Sequence, residues 1–266
     1  MLIYPWLKDI PLLNHPFLLD DYRQAARGVP VDGIVFVQAE VEPTQALEEA
    51  RWVSGIAGQE MLIRGIIPWA PLEKGAEARP FLQELLQLPL VKGIRRIIQF
   101  EPDPGFCLRP QFVQGVQLLA EFGWSFDICI SHGQLENATT LVRKCPEVTF
   151  VLDHVAKPDI RRRLWEPWAA NLRKLADLPN VFCKISGMVT EDDHAAWQPE
   201  NLKPYAEHAI ACFGFDRVIF GGDWPVVTRA ADYTTWFRAL ESIIEGSSLE
   251  EQRKLYRDNA VRAYRL

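Results

Sequence analysis

Acidic and imidazole side chains close several apolar runs of this sequence, and they are residue types that hydrolytic chemistry uses. Asp153 and His154 end one run, Asp223 ends another, and His132 follows a third. A histidine and a carboxylate that meet at one reacting group can act as its general acid and general base. Each could instead be an ordinary hydrogen-bonded residue at a strand end or in a loop. We predict that Asp223 and His154 are catalytic and that His132 lines the same pocket.

Two basic side chains lie in strand-like segments, where each needs either an ion-pair partner or a solvent-filled site. Lys184 is surrounded by apolar residues, and burying an unpaired ammonium costs free energy. It is either paired in the core or faces a site, and we favour the site. Arg95 and Arg96 are adjacent, so one of them must face outward, because successive side chains of a strand point to opposite faces. The predicted substrate-binding residues are Arg95, Lys184, Gln38, Gln99, His132 and Trp224.

Strand alternation assigns faces to the residues that close the run 148–154. Phe150, Leu152 and His154 share one face, which leaves Asp153 on the opposite side. We place His154 on the face that lines the site, so this reasoning turns Asp153 away from it.

The elements that carry these residues follow a repeated pattern of a strand and then a helix. Alternating strands and helices form a parallel sheet, whose chemistry belongs at the carboxyl ends of the strands. The count fits an open doubly wound sheet or a barrel one strand short of eight. Without a linker or a break in composition, residues 1–266 are predicted to form a single domain. The seven strand-like runs, nearly all apolar as in strands buried on both faces, are Val31–Gln38, Leu62–Trp69, Lys92–Gln99, Trp124–Ile130, Val148–His154, Val181–Ser186 and Arg217–Asp223.

Composition argues against several classes of partner. The 29 basic and 35 acidic residues give a net charge of −6, so there is no basic footprint for nucleic acid or an anionic membrane. The sequence lacks an apolar run of the ~18 residues that a membrane span needs. It also lacks a signal-peptide pattern, a G-x-G-x-x-G motif and a Walker A loop. Five cysteines without a CxxC favour a reducing compartment, so we expect a cytoplasmic protein.

Several motifs together resemble those of a known family. They include GIRRIIQ at 93–99, VLDHVAKPD at 151–159, PNVFCKISGMVTE at 179–191 and FGGDWPV at 220–226. In this order along almost the whole chain, they resemble the amidohydrolase-related lactonases, which include L-fuconolactonase and the 2-pyrone-4,6-dicarboxylate hydrolase type. The resemblance implies a distorted (β/α)8 TIM barrel of the α/β class that hydrolyses a sugar-derived or carboxylated lactone. It also implies that the strand-five and strand-six histidines and the strand-eight aspartate line the site, and these map onto His132, His154 and Asp223.

One motif of that family is missing. Its members open with a first strand carrying His-x-His shortly before a Tyr-Pro-Trp-Leu segment, whereas here YPWL at 4–7 follows no such motif. We therefore expect strand 1 to be missing or incomplete, either because the start lies too far downstream or because the protein is truncated. Without that motif a binuclear metal site cannot assemble, and we expect no required cofactor. The alternative is one divalent metal, zinc, held by His132, His154 and Asp223, because catalytic zinc commonly uses three protein ligands.

The missing strand also has a structural consequence. A closed barrel has no sheet edges, so without one strand the runs 31–38 and 217–223 face each other with unpaired backbone groups. We expect seven long strands in an incomplete barrel. The gap should be partly filled by Met1–Trp6, by displaced loops or by a neighbouring chain, which makes a homo-oligomer an expectation.

The mechanism expected of a lactonase assigns roles to these residues. Asp223 would be the general base for the attacking water, and His154 would polarise the carbonyl or protonate the leaving alkoxide. Arg95 and Lys184 would hold a carboxylate or hydroxyl-rich substrate and stabilise negative charge. Two rival functions stay open: a metal-dependent amidohydrolase or decarboxylase on the same barrel, and a truncated, non-catalytic homologue that binds a ligand or a partner.

Overall fold

The computed structural model describes residues 2–266, and its seven strands fall within the seven predicted runs. The prediction of long strands is wrong, because each strand has only three to five residues. The backbone leaves the ladder early: positive φ angles at His154 and Asp223 turn the chain soon after two of the strands. The strands are β1 (Ile34–Val37), β2 (Ile63–Ile67), β3 (Gly93–Arg95), β4 (Ser125–Ile128), β5 (Phe150–Leu152), β6 (Val181–Ile185) and β7 (Val218–Phe220).

The helices of residues 2–266 bury apolar stripes against the sheet. In α4, Phe112, Val116 and Leu119 recur at helical spacing and are all buried. None of these helices is both long and apolar enough to cross a bilayer. The helices are α1 (Leu19–Ala25), α2 (Ala46–Ala57), α3 (Arg79–Leu86), α4 (Pro110–Phe122), α5 (Leu135–Lys144), α6 (Trp168–Ala176), α7 (Pro199–Phe213), α8 (Tyr233–Ile243), α9 (Leu249–Arg253) and α10 (Asn259–Tyr264).

The sheet is parallel throughout and follows the order of the chain. Strands β3 to β7 form one ladder, and β1 and β2 form another. A single bridge between Ile66 and Val91 joins the two ladders. Within residues 2–266, no strand pairs with the outer edge of β1 or of β7. The result is a barrel that is open between these two strands, as the missing motif predicts.

The two faces of the sheet have different cores. The outer face packs against the helices, and Phe126 and Phe150 belong to that large cluster. On the inner face, Val151 and Phe182 lie in a smaller cluster that includes Tyr264 of α10. The C-terminal helix therefore packs inside the barrel, on residues that precede the polar ends of the strands.

The N-terminal segment is held at the carboxyl end of β1. The amide of Glu42 donates to the carbonyl of Ile3 at 2.8 Å, and Trp6 Nε1 donates to the carbonyl of Ala39 at 2.8 Å. Of the segment expected to fill the gap, Met1 lies outside the described residues. Homo-oligomerisation through the open edges and a single domain over 1–266 both stay predictions.

Candidate functional site

A cleft of about 2520 Å³ covers the carboxyl ends of the strands and reaches into the gap between β1 and β7. His132 does not line it but lines a shallower adjoining pocket of about 570 Å³. Lys157 lines both, which makes the two pockets contiguous. The other predicted site residues all line the main cleft, and they are Gln38, Arg95, Gln99, His154, Lys184, Asp223 and Trp224.

A network of charges beneath the cleft links four strands and the C-terminal helix. Lys184 Nζ donates to Asp127 Oδ2 at 2.6 Å and to Asp153 Oδ1 at 2.7 Å. Arg95 donates to the other oxygen of Asp153 at 3.0 Å. The hydroxyl of Tyr264 donates to Asp127 Oδ2 at 2.7 Å. Each buried charge thus has an opposite charge or a strong donor beside it, which is the condition for keeping ions inside a protein.

The network favours the charged forms of Lys184 and Asp153, whereas burial raises the pKa of Asp127 above its usual value even though Lys184 opposes this. Burial alone would lower the pKa of Lys184, but Asp127 and Asp153 outweigh burial and raise that pKa well above its usual value. Burial alone would raise the pKa of Asp153, but Lys184 and Arg95 hold it well below its usual range. Lys184 and Asp153 therefore stay charged across neutral pH.

The expectation that Asp153 faces away from the site is wrong. Asp153 lies on the inner face with Val151, and its carboxylate is part of the charge network. If β5 continued past Leu152, His154 would point outward instead. The strand ends there, and left-handed φ angles from His154 to Lys157 turn the chain, so that His154 also reaches the cleft.

His154 and Asp223, the predicted catalytic pair, meet across the end of β6. His154 Nε2 lies 3.8 Å from Asp223 Oδ1, and His154 Nδ1 lies 2.9 Å from Ser186 Oγ. Burial lowers the pKa of His154 to about 3, so the imidazole is neutral at neutral pH. Burial raises the pKa of Asp223 to about 7, although Lys157 nearby favours the ionised form. The pair can supply a neutral imidazole and a carboxyl that exchanges protons near neutral pH.

Local contacts fix two more of the predicted substrate-binding residues. The side-chain oxygen of Gln38 accepts from the amide of Glu40 at 2.6 Å, and its nitrogen donates to the Glu40 carboxylate at 2.8 Å. Trp224 packs edge-on against Phe17, with 5.3 Å between the ring centres. Gln38 therefore lines the cleft with a side-chain amide, and Trp224 lines it with an aromatic ring.

Sequence reasoning missed three residues of this region. Asp127 carries the same signal as Lys184, a charged residue inside an apolar run, and a buried ammonium requires a counter-ion. Cys129 lies inside an apolar run and gives no sign of a site, yet it lines the cleft, and its sulfur lies 3.7 Å from Gln99 Oε1. The sequence around Tyr264 does not indicate a role in the site, because its hydrogen bond to Asp127 depends on where the C-terminal helix packs.

The cluster of potential metal ligands in the cleft does not fit a resident divalent metal. Among residues 2–266, the ligand atoms of Cys129, Asp153 and His154 lie within 4.8 Å of one another. Both oxygens of Asp153, however, already accept from Lys184 and Arg95, whose charges would repel a second cation. Burial raises the pKa of the Cys129 thiol to about 11, so this sulfur is protonated at neutral pH.

The three zinc ligands expected from the sequence do not lie close together either. In the described part of the chain, His132, His154 and Asp223 are not a group whose ligand atoms come within that distance. His132 lines the adjoining pocket, and its Nδ1 lies 3.0 Å from the carbonyl oxygen of Lys157.

Comparisons with known proteins agree with this architecture. A family model described as Amidohydrolase matches residues 3–266. The chain is 30% identical over 280 residues to the uncharacterized protein y4mH of Sinorhizobium fredii. This match covers 99% of this chain and 93% of that protein. It is 29% identical over 230 residues to an L-fucono-1,5-lactonase of Burkholderia ambifaria. This match covers 84% of this chain and 77% of that protein.

Solved structures give the same result. The crystal structure of a Burkholderia multivorans amidohydrolase with bound zinc matches with a TM-score of 0.89 and 27% identity, covering 99% of this chain and 94% of that one. The predicted α/β barrel of the amidohydrolase type is therefore confirmed.

We expect Lys184→Met to destabilise the fold by about 3–5 kcal/mol, the cost typical of removing one partner from a buried ion pair. Asp127 would then be buried without a cation. Urea unfolding followed by tryptophan fluorescence measures the change. Lys203→Met is a matched control, because Lys203 is half-exposed and pairs only loosely with Glu207, at 3.8 Å. Equal stability of the two variants would show that the network does not hold the strand ends.

Proposed function

This chain belongs to the amidohydrolase family, and from that premise we propose that it hydrolyses the ester bond of a small lactone. Family membership confirms the prediction of a hydrolase. The observation that carries the lactone proposal is the buried pair of His154 and Asp223 in the cleft, 3.8 Å apart. Further support comes from the lactonase named among the relatives.

In the proposed reaction, water adds to the lactone carbonyl while Asp223 accepts one proton from it. His154, which stays neutral, donates a hydrogen bond to the carbonyl oxygen as negative charge develops there. The bond between the carbonyl carbon and the ring oxygen then breaks. Asp223 returns its proton to that ring oxygen, so one water is consumed and an open-chain hydroxy acid is released.

The roles expected of Lys184 and Arg95 change in this proposal. Lys184 is only 8% exposed and donates to two carboxylates, so it is not available to hold a substrate directly. Arg95 donates to Asp153 and to the carbonyl oxygen of Gln38. We propose that these cations keep the strand ends in place. Lys157 lines the cleft without an ion pair among residues 2–266 and is the better candidate to bind a polar group of the substrate.

A sugar-derived lactone suits the walls of the cleft. Trp6, Phe17, Trp69 and Trp224 line it, and aromatic rings combine a large apolar face with low conformational entropy. Such rings can pack on the C–H faces of a sugar ring, while Gln38 and other polar side chains bind its hydroxyls. This lining favours a sugar-derived lactone over a small, highly charged carboxylated one.

We expect Asp223→Asn to lower kcat/KM by at least ~10²-fold, because the variant keeps the shape of the side chain but has no base for the water. Initial rates with L-fucono-1,5-lactone and related aldonolactones, followed by polarimetry, measure the effect. Circular dichroism verifies that the variant is folded. Asp193→Asn, a change at the surface, serves as the control. Wild-type activity in Asp223→Asn would remove Asp223 from the mechanism.

The activity should rise with pH through about 7 and level off above it, because burial raises the pKa of Asp223 to about 7. Below that value the carboxyl is protonated and cannot accept a proton from water. The measurement is kcat/KM against pH, with the spontaneous hydrolysis of the lactone subtracted at each point. A profile without an inflection near neutral pH would contradict the assigned base.

We propose that no metal is required and expect prolonged chelation to leave kcat/KM unchanged. The physical reason is that Lys184 and Arg95 occupy the oxygens of Asp153 and oppose a further cation. Activity before and after dialysis against a strong chelator, with zinc content measured alongside, decides the point. A loss of activity that added zinc restores would contradict the proposal.

A further inference from the structure

We propose that Ser186 is a positioning residue that fixes His154 as the tautomer with its proton on Nε2. The imidazole then presents a hydrogen-bond donor to the cleft and to Asp223. The assignment of the tautomer rests on geometry alone. Only its catalytic consequence rests on the proposed function.

The first observation is the hydrogen bond between two buried side chains. Ser186 directly follows β6 and is 1% exposed, and its Oγ lies 2.9 Å from His154 Nδ1. Among residues 2–266, Ser186 Oγ has no other hydrogen-bond partner. Within the described residues, His154 Nδ1 is the polar atom in reach of this buried hydroxyl, so we infer that Ser186 donates and Nδ1 accepts. A neutral imidazole that accepts at Nδ1 carries its proton at Nε2.

The second observation lies on the other side of the ring. His154 Nε2 is 3.8 Å from Asp223 Oδ1. With Asp223 ionised, the opposite tautomer would direct the lone pair of Nε2 at this carboxylate and would leave the Ser186 hydroxyl without an acceptor. Both ends of the ring therefore favour the same tautomer.

Glycines make this arrangement possible. Gly187 has φ +61°, and a Cβ there would lie 2.7 Å from His154 Nδ1. A Cβ on Gly221 would lie 2.6 Å from the Cβ of Ser186. Neither distance is compatible with a side chain, so these positions admit the approach of β6 and β7 to the imidazole. The Ser-Gly pair after β6 and the Gly-Gly-Asp sequence after β7 thus form one cradle around His154.

The tautomer determines which of His154 and Asp223 can accept a proton from water and which can donate a hydrogen bond. With its proton on Nε2, His154 is a donor toward the cleft and cannot take a proton there. Asp223 is then the group that accepts the proton of water. Without Ser186, His154 can adopt the other tautomer, which has no donor for the carbonyl oxygen.

Nitrogen NMR tests the tautomer directly. Long-range ¹H–¹⁵N correlation spectra of the histidine-labelled protein distinguish the two tautomers, and a His154→Gln sample assigns the signals of His154 among the five histidines. We expect a proton on Nε2 in the wild type and a mixture of tautomers in Ser186→Ala. Ser186→Cys, with a weaker donor, should give an intermediate mixture. A wild type protonated at Nδ1, or a Ser186→Ala spectrum identical to the wild type, overturns the proposal.

Ser125→Ala is the matched control. Ser125 is another buried serine of the inner face, and its hydroxyl has no partner within residues 2–266. Its removal should leave the His154 signals unchanged. If Ser125→Ala shifts the tautomer as Ser186→Ala does, the effect is general loosening of the barrel and the positioning role is refuted.

Kinetics separates positioning from direct attack by Ser186. We expect Ser186→Ala to lower kcat by at least ~10-fold with little change in KM, and Ser186→Cys to recover part of the loss. Complete loss, together with a substrate-derived acyl group on Ser186 in the mass spectrum of the wild type, would make Ser186 a nucleophile and refute the proposal. If no lactone is hydrolysed at all, the proposed function fails, while the spectra still decide the tautomer.

Discussion

The burial of the Lys184 ammonium is the constraint on which the rest of the site depends. A cation that is almost shielded from water needs carboxylates close by, and Asp127 and Asp153 supply them from two other strands. Arg95 extends the network to a fourth strand. Because the strands are only three to five residues long, their ladders provide few backbone bonds. The ion pairs therefore fix distances between strand ends that the ladders alone would leave loosely defined.

The balance of these charges sets the chemistry above them. Burial is the largest influence on the pKa of both His154 and Asp223, and the nearby charges of Arg95 and Asp153 shift each pKa in opposite directions. Burial disfavours the charged form of each group, which lowers the pKa of the imidazole to about 3 and raises that of the carboxyl to about 7. The usual order of the two pKa values is inverted. The carboxyl is therefore the group of this pair that titrates near neutral pH, while the imidazole stays neutral.

The sequence predicts the positions of the strands but not where their regular backbone ends. Alternation places His154 correctly at the cleft only by accident, because it assumes that β5 continues through Asp153. The left-handed turn that begins at His154 is not predictable from a pattern of apolar residues, and it brings His154 to the inner side, where Asp153 already lies. The apolar surroundings of Lys184 mark it as a residue with a special role, and the same reasoning applied to Asp127 points to its counter-ion. The contact of Tyr264 with Asp127 depends on the packing of α10, which no local pattern predicts.

The open edge of the barrel leaves the pair of His154 and Asp223 intact, because other elements support it. His154, Ser186 and Asp223 follow β5, β6 and β7, which belong to one unbroken ladder. Although β7 is an edge strand in residues 2–266, helix side chains hold it in place. Asn259 of α10 donates to the carbonyl of Val218 at 2.8 Å, and Trp236 of α8 donates to the carbonyl of Gly221 at 2.9 Å. The turn that carries Asp223 is therefore anchored from the helix layer. An incomplete sheet is thus no argument for an inactive homologue, because the residues of the proposed catalytic pair are held by the β5–β7 ladder and by the helices packed on β7.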